Sequence, residues 1–251
     1  MLKALKLITL VLVLITTNAY AKNQLEVIYE PTKQYEAIRQ SLQSSELLKE
    51  LFSTLNENFK FPKGLEIVFS NKKDTAYEPE TNKILVSYDF VKEIEDTFAK
   101  AKVEIDGKPQ DAAIQALMYM IIHELAHALI HNYDLPVVGK EEDAADSLAG
   151  VLLSEYFEGG QEAVLDAATF FDLISANRKE LTDEDFWDEH SLDEQRLYNA
   201  LCYVYGSDPK QYADIKKIAG FPTERAELCE EDYAKLADSW DVLLPPYVKK
   251  P

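Results

Sequence analysis

Cysteine, glycine, histidine and basic side chains are all scarce in this chain of 251 residues, which has two Cys, eight Gly, four His and 26 Lys+Arg against 45 Asp+Glu. Two cysteines are too few for a disulfide-dense scaffold, and eight glycines are too few for a collagen-like repeat. The formal charge of −19 argues against nucleic acid or an anionic membrane surface as a partner, because phosphate binding depends on Lys and Arg. The hydrophobic content of 47% excludes a disordered chain and predicts a globular protein.

The first 21 residues have the pattern of a secretory signal peptide. Lys3 and Lys6 give a basic start, an apolar run follows over residues 7–15, and residues 19–21 read Ala-Tyr-Ala, a small-x-small cleavage pattern. We expect cleavage after Ala21, and an uncleaved N-terminal anchor is the alternative. The mature protein is then acidic and exported, either to the periplasm or into the medium, with no stable membrane insertion.

Two cysteines, Cys202 and Cys229, remain in the mature chain. An oxidising compartment favours a single disulfide between them, and two buried thiols are the alternative. Neither cysteine lies in a Cys-x-x-Cys pair, so the spacing gives no indication of a thiolate zinc site.

Residues 22–251 contain no repeat, low-complexity stretch or Ser/Gly-rich linker, which predicts a single domain. The pattern indicates an α+β fold, mainly helical, with a small N-terminal sheet lobe and a helical C-terminal lobe. Strand patterns occur at 25–29 and 65–69, one amphipathic helix is predicted over 34–59, and residues 77–88 are typical of a hairpin that returns through Ile84–Tyr88. Helical periodicity then predicts helices at 112–131, 141–158, 161–178, 191–205, 209–219 and 223–239.

The strongest motif is H-E-x-x-H, formed by His123, Glu124 and His127 in a strongly apolar predicted helix. Because an α-helix has 3.6 residues per turn, the two imidazoles lie on nearly the same face and can bind one metal ion. Glu124 is then placed to polarise a metal-bound water rather than to bind the metal. The alternative is two core histidines satisfied by neighbouring carboxylates, although three ionisable side chains in an apolar helix are costly without a function.

The apolar length of this helix also raises the possibility of an intramembrane protease. We reject it because, apart from the signal peptide, the sequence has no other span of that length, and one membrane helix would not enclose a metal site.

A catalytic zinc ion needs a third protein ligand and an open position for water. The next predicted helix follows a turn over residues 134–139 and carries Glu141 and Glu142 at its start. Both carboxylates flank its buried stripe about equally, so periodicity alone does not choose between them. Acidic residues at a helix N-terminus are also favoured by the helix dipole without any metal role.

This arrangement resembles the gluzincins, the thermolysin-like class of zincins, in which Glu-x-x-x-Asp on the following helix supplies the third ligand and an outer carboxylate. Only Glu142 and Asp146 have that spacing here. The resemblance therefore implies that Glu142 binds the metal. It also implies that Asp146 accepts a hydrogen bond from a ligating histidine, expected to be His123, and so fixes its tautomer.

A closer resemblance covers most of the mature chain. It rests on the H-E-L-A-H-A-L-I and E-E-D-A-A-D segments, on D-E-H-S-L-D-E-Q-R over residues 188–196, on R-A-E-L-C over residues 225–229, and on the Y-E-P-E-T hairpin from Tyr77. This combination is similar to the family called domain of unknown function 4344, described as putative metallopeptidases. The resemblance implies a zinc peptidase with a peptide or protein substrate.

His131 completes a run of three histidines at four-residue intervals. A metzincin would place its third histidine six residues after the second, beyond a glycine that breaks the helix, and this sequence has neither feature. We therefore expect His131 near the helix end, facing solvent or favoured by the helix dipole.

His190 precedes a predicted capping box in which Ser191 is the N-cap and Glu194 reaches back. It lies in a strongly acidic stretch that should raise its pKa and favour the imidazolium. Near zinc, such a cation could stabilise the oxyanion of a tetrahedral intermediate, as in thermolysin-like enzymes. The alternative is a histidine bound only to local carboxylates. Arg196 and Tyr198 are weaker candidates, interpreted as partners of the acidic stretch.

The predicted reaction is hydrolysis of a peptide or related amide, with one Zn²⁺ per chain held by His123, His127 and Glu142. Glu124 acts as general base on a zinc-activated water and returns the proton to the leaving nitrogen. By analogy with zincins, an extended substrate would pair with a sheet edge, for which Ile84–Tyr88 is the candidate. Two alternatives stay open: a zinc-binding module without turnover, which would not need Glu124, and a partner-binding envelope protein with a vestigial site.

Overall fold

A computed structural model describes residues 24–103 and 109–249, so the predicted signal peptide lies outside the described residues. The described chain is mainly helical with one small mixed sheet, which confirms the predicted α+β class. The strands are β1 (Leu25–Tyr29), β2 (Leu65–Ser70), β3 (Ala76–Glu78) and β4 (Lys83–Ser87). The helices are α1 (Glu36–Ser44), α2 (Glu46–Asn58), α3 (Tyr88–Ala101), α4 (Pro109–Tyr133), α5 (Glu141–Tyr156), α6 (Gly160–Asn177), α7 (Asp183–Trp187), α8 (Asp193–Ser207), α9 (Ala213–Ile218) and α10 (Thr223–Leu243).

The sheet has the strand order β1-β2-β4-β3. The β1–β2 and β2–β4 pairs are parallel, whereas β3 and β4 form the predicted antiparallel hairpin. Strand β4 therefore lies between β2 and β3, and the two edge strands of the sheet are β1 and β3, of which β3 is called the edge strand below. The prediction that Ile84–Tyr88 offers a free edge to a substrate is wrong, because β2 pairs along one edge, β3 pairs with Ile84 and Leu85 on the other, and Tyr88 begins α3.

Local capping explains where the helices differ from the prediction. The helix expected over 34–59 is divided at Ser45, which has extended backbone and whose hydroxyl oxygen accepts a hydrogen bond from the Leu48 N–H. A serine in this role starts a new helix. Ser87 caps α3 in the same way by accepting from the N–H groups of Asp89 and Phe90. Helices α3 and α7 were not predicted.

Helix α4 forms the centre of the molecule. It packs against α2, α3, α5 and α6 and against the two strands of the hairpin. By length and composition its stretch Gln110–Tyr133 could cross a membrane, but 83% of its most apolar part is buried inside the protein. A helix that is apolar on nearly every side is typical of a protein core. The H-E-x-x-H segment therefore lies on a helix that is largely buried in the core.

A disulfide joins Cys202 of α8 to Cys229 of α10, as predicted from the two cysteines. Both residues are buried, and α8 packs along α10. A protein disulfide of this kind indicates an oxidising environment.

Candidate metal centre

The turn between α4 and α5 brings their polar ends together. Asp134 and Gly139 have positive φ angles of 52° and 113°, which lets the chain reverse where α4 ends. Glycine adopts such a conformation with little strain. Helix α5 then begins at Glu141, so its first-turn carboxylates lie beside the histidines of α4.

Three side chains converge on one point between α4 and α5. The Nε2 atoms of His123 and His127 are 3.2 Å apart, and they lie 3.0 and 3.3 Å from Oε2 of Glu142. Zinc–nitrogen and zinc–oxygen bonds of about 2.0–2.1 Å in a tetrahedral site place neighbouring ligand atoms about 3.4 Å apart. The three atoms therefore have nearly the spacing of one face of a zinc coordination tetrahedron, and the residues present fit such an ion.

His190 reaches the same point from the segment between α7 and α8. Its Nε2 lies 2.9 Å from Oε2 of Glu142. His123, Glu142 and His190 each offer one ligand atom, and these atoms all lie within 4.8 Å of one another. The structure thus brings together all the histidines for which a functional role was predicted.

Each of these imidazoles has a carboxylate at its other nitrogen. Asp146 Oδ1 lies 2.8 Å from Nδ1 of His123, which is the pair that the gluzincin resemblance implies. Glu141 Oε1 lies 2.8 Å from Nδ1 of His127. Periodicity left Glu141 and Glu142 equivalent, but in the structure they occupy opposite sides of the His127 ring.

Arg196 completes this group from α8. Its Nε and Nη2 atoms donate to Oδ2 and Oδ1 of Asp146, each at 2.7 Å. Its guanidinium also lies 4.2 Å from the ring centroid of Phe171. Arg196 is therefore hydrogen-bonded to Asp146, and of the acidic stretch to which it was assigned from sequence it interacts electrostatically with Asp193.

The electrostatics of the centre favour positive charge. Burial opposes protonation of His123, but hydrogen bonds to Asp146 and Glu142 outweigh it and raise its pKa to about 9. The pKa of His190 is raised, as predicted, although the main cause is its hydrogen bond to Glu142 rather than the acidic stretch. Burial disfavours the charged form of Glu142, yet the hydrogen bonds from the three imidazoles hold its pKa well below the usual range.

Glu124 is partly buried and lines an open cleft together with His127, Glu142 and His190. One of its carboxylate oxygens, Oε2, accepts a hydrogen bond of 2.7 Å from the backbone N–H of Tyr77 in β3. Burial raises the pKa of Glu124, and the nearby His123 and His127 oppose this shift. The edge strand and the H-E-x-x-H helix are thus directly connected.

An open cleft of about 730 Å³ runs past these groups. Residues of the edge strand lie on one side, and residues of α4, the α4–α5 turn, α5 and the His190 segment complete it. The lining residues are Thr75, Ala76, Tyr77, Pro79, Glu124, His127, Ile130, His131, Asp134, Leu135, Val137, Glu141, Glu142, Glu189 and His190.

Two local predictions around the histidines had different outcomes. His131 is exposed near the end of α4, as expected, and its ring lies 5.8 Å from that of Tyr77. The predicted cap of α8 is wrong: the N-cap is Leu192, whose N–H donates to the side chain of Gln195. Ser191 is not the cap because its hydroxyl donates instead to Asp143 of α5, at 2.6 Å.

Several partners of the centre were not found from the sequence. Glu141 was considered only as an alternative ligand, Arg196 was only a weaker candidate without its contact to Asp146, and Asp188 and the Tyr77 N–H were given no individual role at the site. Arg196 is 50 residues from Asp146, so no local spacing indicates their contact. The only feature of the sequence that pointed to a special role for Arg196 was its position as a basic residue in a largely acidic segment.

The fold and the site define a class of protein, in which a cluster of His and Glu side chains that could hold a metal ion opens into a cleft beside one edge of a small sheet. The chain belongs to the family described as "Putative metallopeptidase", whose model matches residues 29–244. Membership of that family implies a metal and a protein or peptide substrate. No curated protein and no solved structure matches the chain.

Proposed function

We propose that the protein is an exported zinc-dependent metallopeptidase with a zincin-like domain over residues 22–251, preceded by a signal peptide over residues 1–21. The observation that carries the proposal is the convergence of His123, His127 and Glu142, with ligand atoms 3.0–3.3 Å apart, beside Glu124. The family assignment supports peptidase activity, and the disulfide supports an oxidising compartment.

In this proposal His123, His127 and Glu142 hold one Zn²⁺, and Asp146 fixes the tautomer of His123. Two imidazoles and one carboxylate with an open position suit zinc. When bound, the zinc ion supplies Lewis acidity, which polarises a substrate carbonyl and lowers the pKa of water toward neutrality.

Glu124 is the general base. The Tyr77 N–H holds one carboxylate oxygen and leaves the other for proton transfer. Because burial raises the pKa of Glu124, its carboxylate is a better match for taking a proton from water and returning it to the leaving nitrogen near neutral pH.

His190 is the proposed donor to the developing oxyanion. It lines the same cleft as Glu124, and its raised pKa favours an imidazolium. A cationic N–H donor near the carbonyl oxygen stabilises the negative charge that develops there.

The edge strand β3 is the proposed substrate-binding strand, in place of the segment favoured from sequence. Thr75, Ala76 and Tyr77 line the cleft, and β3 is paired only with β4 among the described strands. An extended peptide could add to this edge through main-chain hydrogen bonds, which would lay its scissile bond alongside Glu124.

The test combines metal content with turnover. We expect about one zinc per wild-type chain by elemental analysis, and loss of zinc in His127→Ala and Glu142→Ala. Glu124→Gln should keep its zinc and lose most hydrolysis of a mixed peptide library, because the amide cannot act as a base. Glu158→Gln, a change at an exposed residue just beyond the end of α5, is the matched control for both measurements.

Two results would contradict the proposal in different ways. Zinc in the wild type without any hydrolysis would favour a non-catalytic zinc-binding envelope protein. Failure of the wild type to bind zinc after reconstitution would leave a partner-binding envelope protein with a vestigial site.

A further inference from the structure

Three histidines of the centre share one pattern of contacts. In each, Nε2 lies close to the same oxygen of Glu142 while Nδ1 lies against a separate carboxylate. The Nε2–Glu142 distances are 3.0 Å for His123, 3.3 Å for His127 and 2.9 Å for His190. The Nδ1–carboxylate distances are 2.8 Å for His123 to Asp146, 2.8 Å for His127 to Glu141 and 3.3 Å for His190 to Asp188.

This pattern is that of metal-ligating histidines, which almost always donate the second ring N–H to a carboxylate or carbonyl. Donation from Nδ1 leaves the lone pair of Nε2 free for a metal ion. His131, which lines the same cleft, lacks the pattern: the contact that it makes among the described residues is with the ring of Tyr77. The contacts thus group His190 with the two H-E-x-x-H histidines and separate it from its neighbour in the cleft.

The position of His190 is also close to that of a ligand. Its ligand atom lies within 4.8 Å of those of His123 and Glu142, and its ring is within 23° of parallel to that of His123. Neighbouring ligand atoms of a tetrahedral zinc ion lie about 3.4 Å apart. Relative to His123 and Glu142, the ligand atom of His190 is therefore within roughly 1.5 Å of that spacing, and its side chain is 47% exposed.

The backbone around His190 is tied to the helix that carries Glu142. The Nζ atom of Lys140 donates to the carbonyl oxygens of Asp188 and His190, both at 3.2 Å. On the other side of His190, the hydroxyl of Ser191 donates to Asp143. These contacts with the N-cap and first turn of α5 hold the backbone that carries His190 close to Glu142.

We propose that His190 is a fourth zinc ligand in the resting protein. The inference rests on the proposed zinc site and adds a regulatory state to it. With His123, His127, Glu142 and His190 all bound, the site is closed by four protein donors, as in structural zinc sites. A substrate gains access only when His190 withdraws, and the withdrawn imidazole then takes a proton from solvent at Nε2, which makes it the cationic oxyanion donor.

Zinc K-edge X-ray absorption on the zinc-loaded mature protein tests the proposal, because it counts imidazole ligands without any substrate. We expect three imidazoles in the wild type, two in His190→Ala and three in the matched control His131→Ala. Competition with a chromophoric chelator should show that His190→Ala binds zinc at least about tenfold more weakly, the lower end of what loss of an outer partner already costs. His190→Gln is the second variant if His190→Ala does not fold, as judged by circular dichroism.

The outcomes separate this inference from the proposed function. Two imidazoles in the wild type would overturn the inference and leave the zinc peptidase intact. A fall in the number of imidazole ligands in His131→Ala but not in His190→Ala would show that His131 supplies the third imidazole. That result would also overturn the inference. A wild-type protein that takes up no zinc would remove the proposed function and the inference together.

Discussion

Asp146 is charged and buried, and its surroundings explain how the protein stabilises it. An isolated buried carboxylate is costly because it loses its hydration. Burial would raise the pKa of Asp146, but the Arg196 guanidinium and the hydrogen bonds from Arg196 and His123 outweigh it and hold the pKa well below the usual range. Asp146 is thereby kept as an acceptor that faces His123.

Substitution of Arg196 should show how strongly the charged form of Asp146 depends on this guanidinium. We expect Arg196→Gln to lower the free energy of unfolding by about 3–5 kcal/mol, the usual cost of leaving one member of a buried ion pair alone. It should also weaken zinc binding, by up to roughly 10–100-fold, because Asp146, the outer partner of His123, loses the arginine that holds it charged and in place. Chemical denaturation and chelator competition measure the two effects.

Arg196→Lys distinguishes charge from geometry, because lysine keeps the positive charge but not the two parallel hydrogen bonds. We expect it to recover part of the stability and less of the zinc affinity. Arg225→Gln is the control, since Arg225 pairs with Asp232 in a partly exposed contact whose loss costs at most about 1 kcal/mol. Equal effects of Arg196→Gln and Arg225→Gln would show that the Asp146 contact has no special role.

At the scale of elements, the long periodic segments were predictable and the junctions were not. Helices α4 and α5 follow from apolar periodicity, and H-E-x-x-H locates the site on α4. The break at Ser45 depends on one side-chain hydrogen bond, which a continuous amphipathic pattern does not reveal. The edge strand depends on which strands pair across the sheet, and alternation within a strand contains no information on that order.

At the junction between α5 and α6, the first residue of α6, Gly160, packs directly against the backbone of α5. Gly160 lies against the last turn of α5, and a Cβ atom on it would be 1.9 Å from the carbonyl oxygen of Leu153. Gly160→Ala should therefore cost about 3 kcal/mol of stability, at the upper end for overpacking, because the obstacle is backbone rather than a movable side chain.

Gly220→Ala is the matched control for that substitution. Gly220 has a φ of 67°, and a Cβ atom on it would meet no other atom within 4 Å, so only the left-handed backbone conformation opposes the change, at about 1–2 kcal/mol. Urea denaturation of the two variants measures the difference. If Gly160→Ala were the more stable of the two, the α5–α6 approach would have to be wider than described.

On the scale of the whole molecule, the centre depends on a helix that the disulfide anchors. Helix α8 carries Arg196 near its start and Cys202 further along, and Cys202 is bonded to Cys229 of α10. Helix α10 also packs against α5, which carries Glu142 and Asp146. The disulfide therefore crosslinks α8 and α10 within a packed group of three helices, α5, α8 and α10. Two of these helices, α5 and α8, carry side chains of the centre.

The double variant Cys202→Ala/Cys229→Ala tests what this crosslink contributes. The cysteines are 27 residues apart, and closing a loop of that length constrains the unfolded chain by about 3–4 kcal/mol. We expect the melting midpoint to fall by roughly 7–15 °C, with zinc stoichiometry unchanged well below the new midpoint because neither cysteine contacts the centre.

Wild-type protein under reducing conditions should have the same melting midpoint as the double variant. If the double variant had the same melting midpoint as the oxidised wild type, helix packing alone would hold α8 in place. Loss of zinc from the folded double variant would instead show that the crosslink positions Arg196 directly.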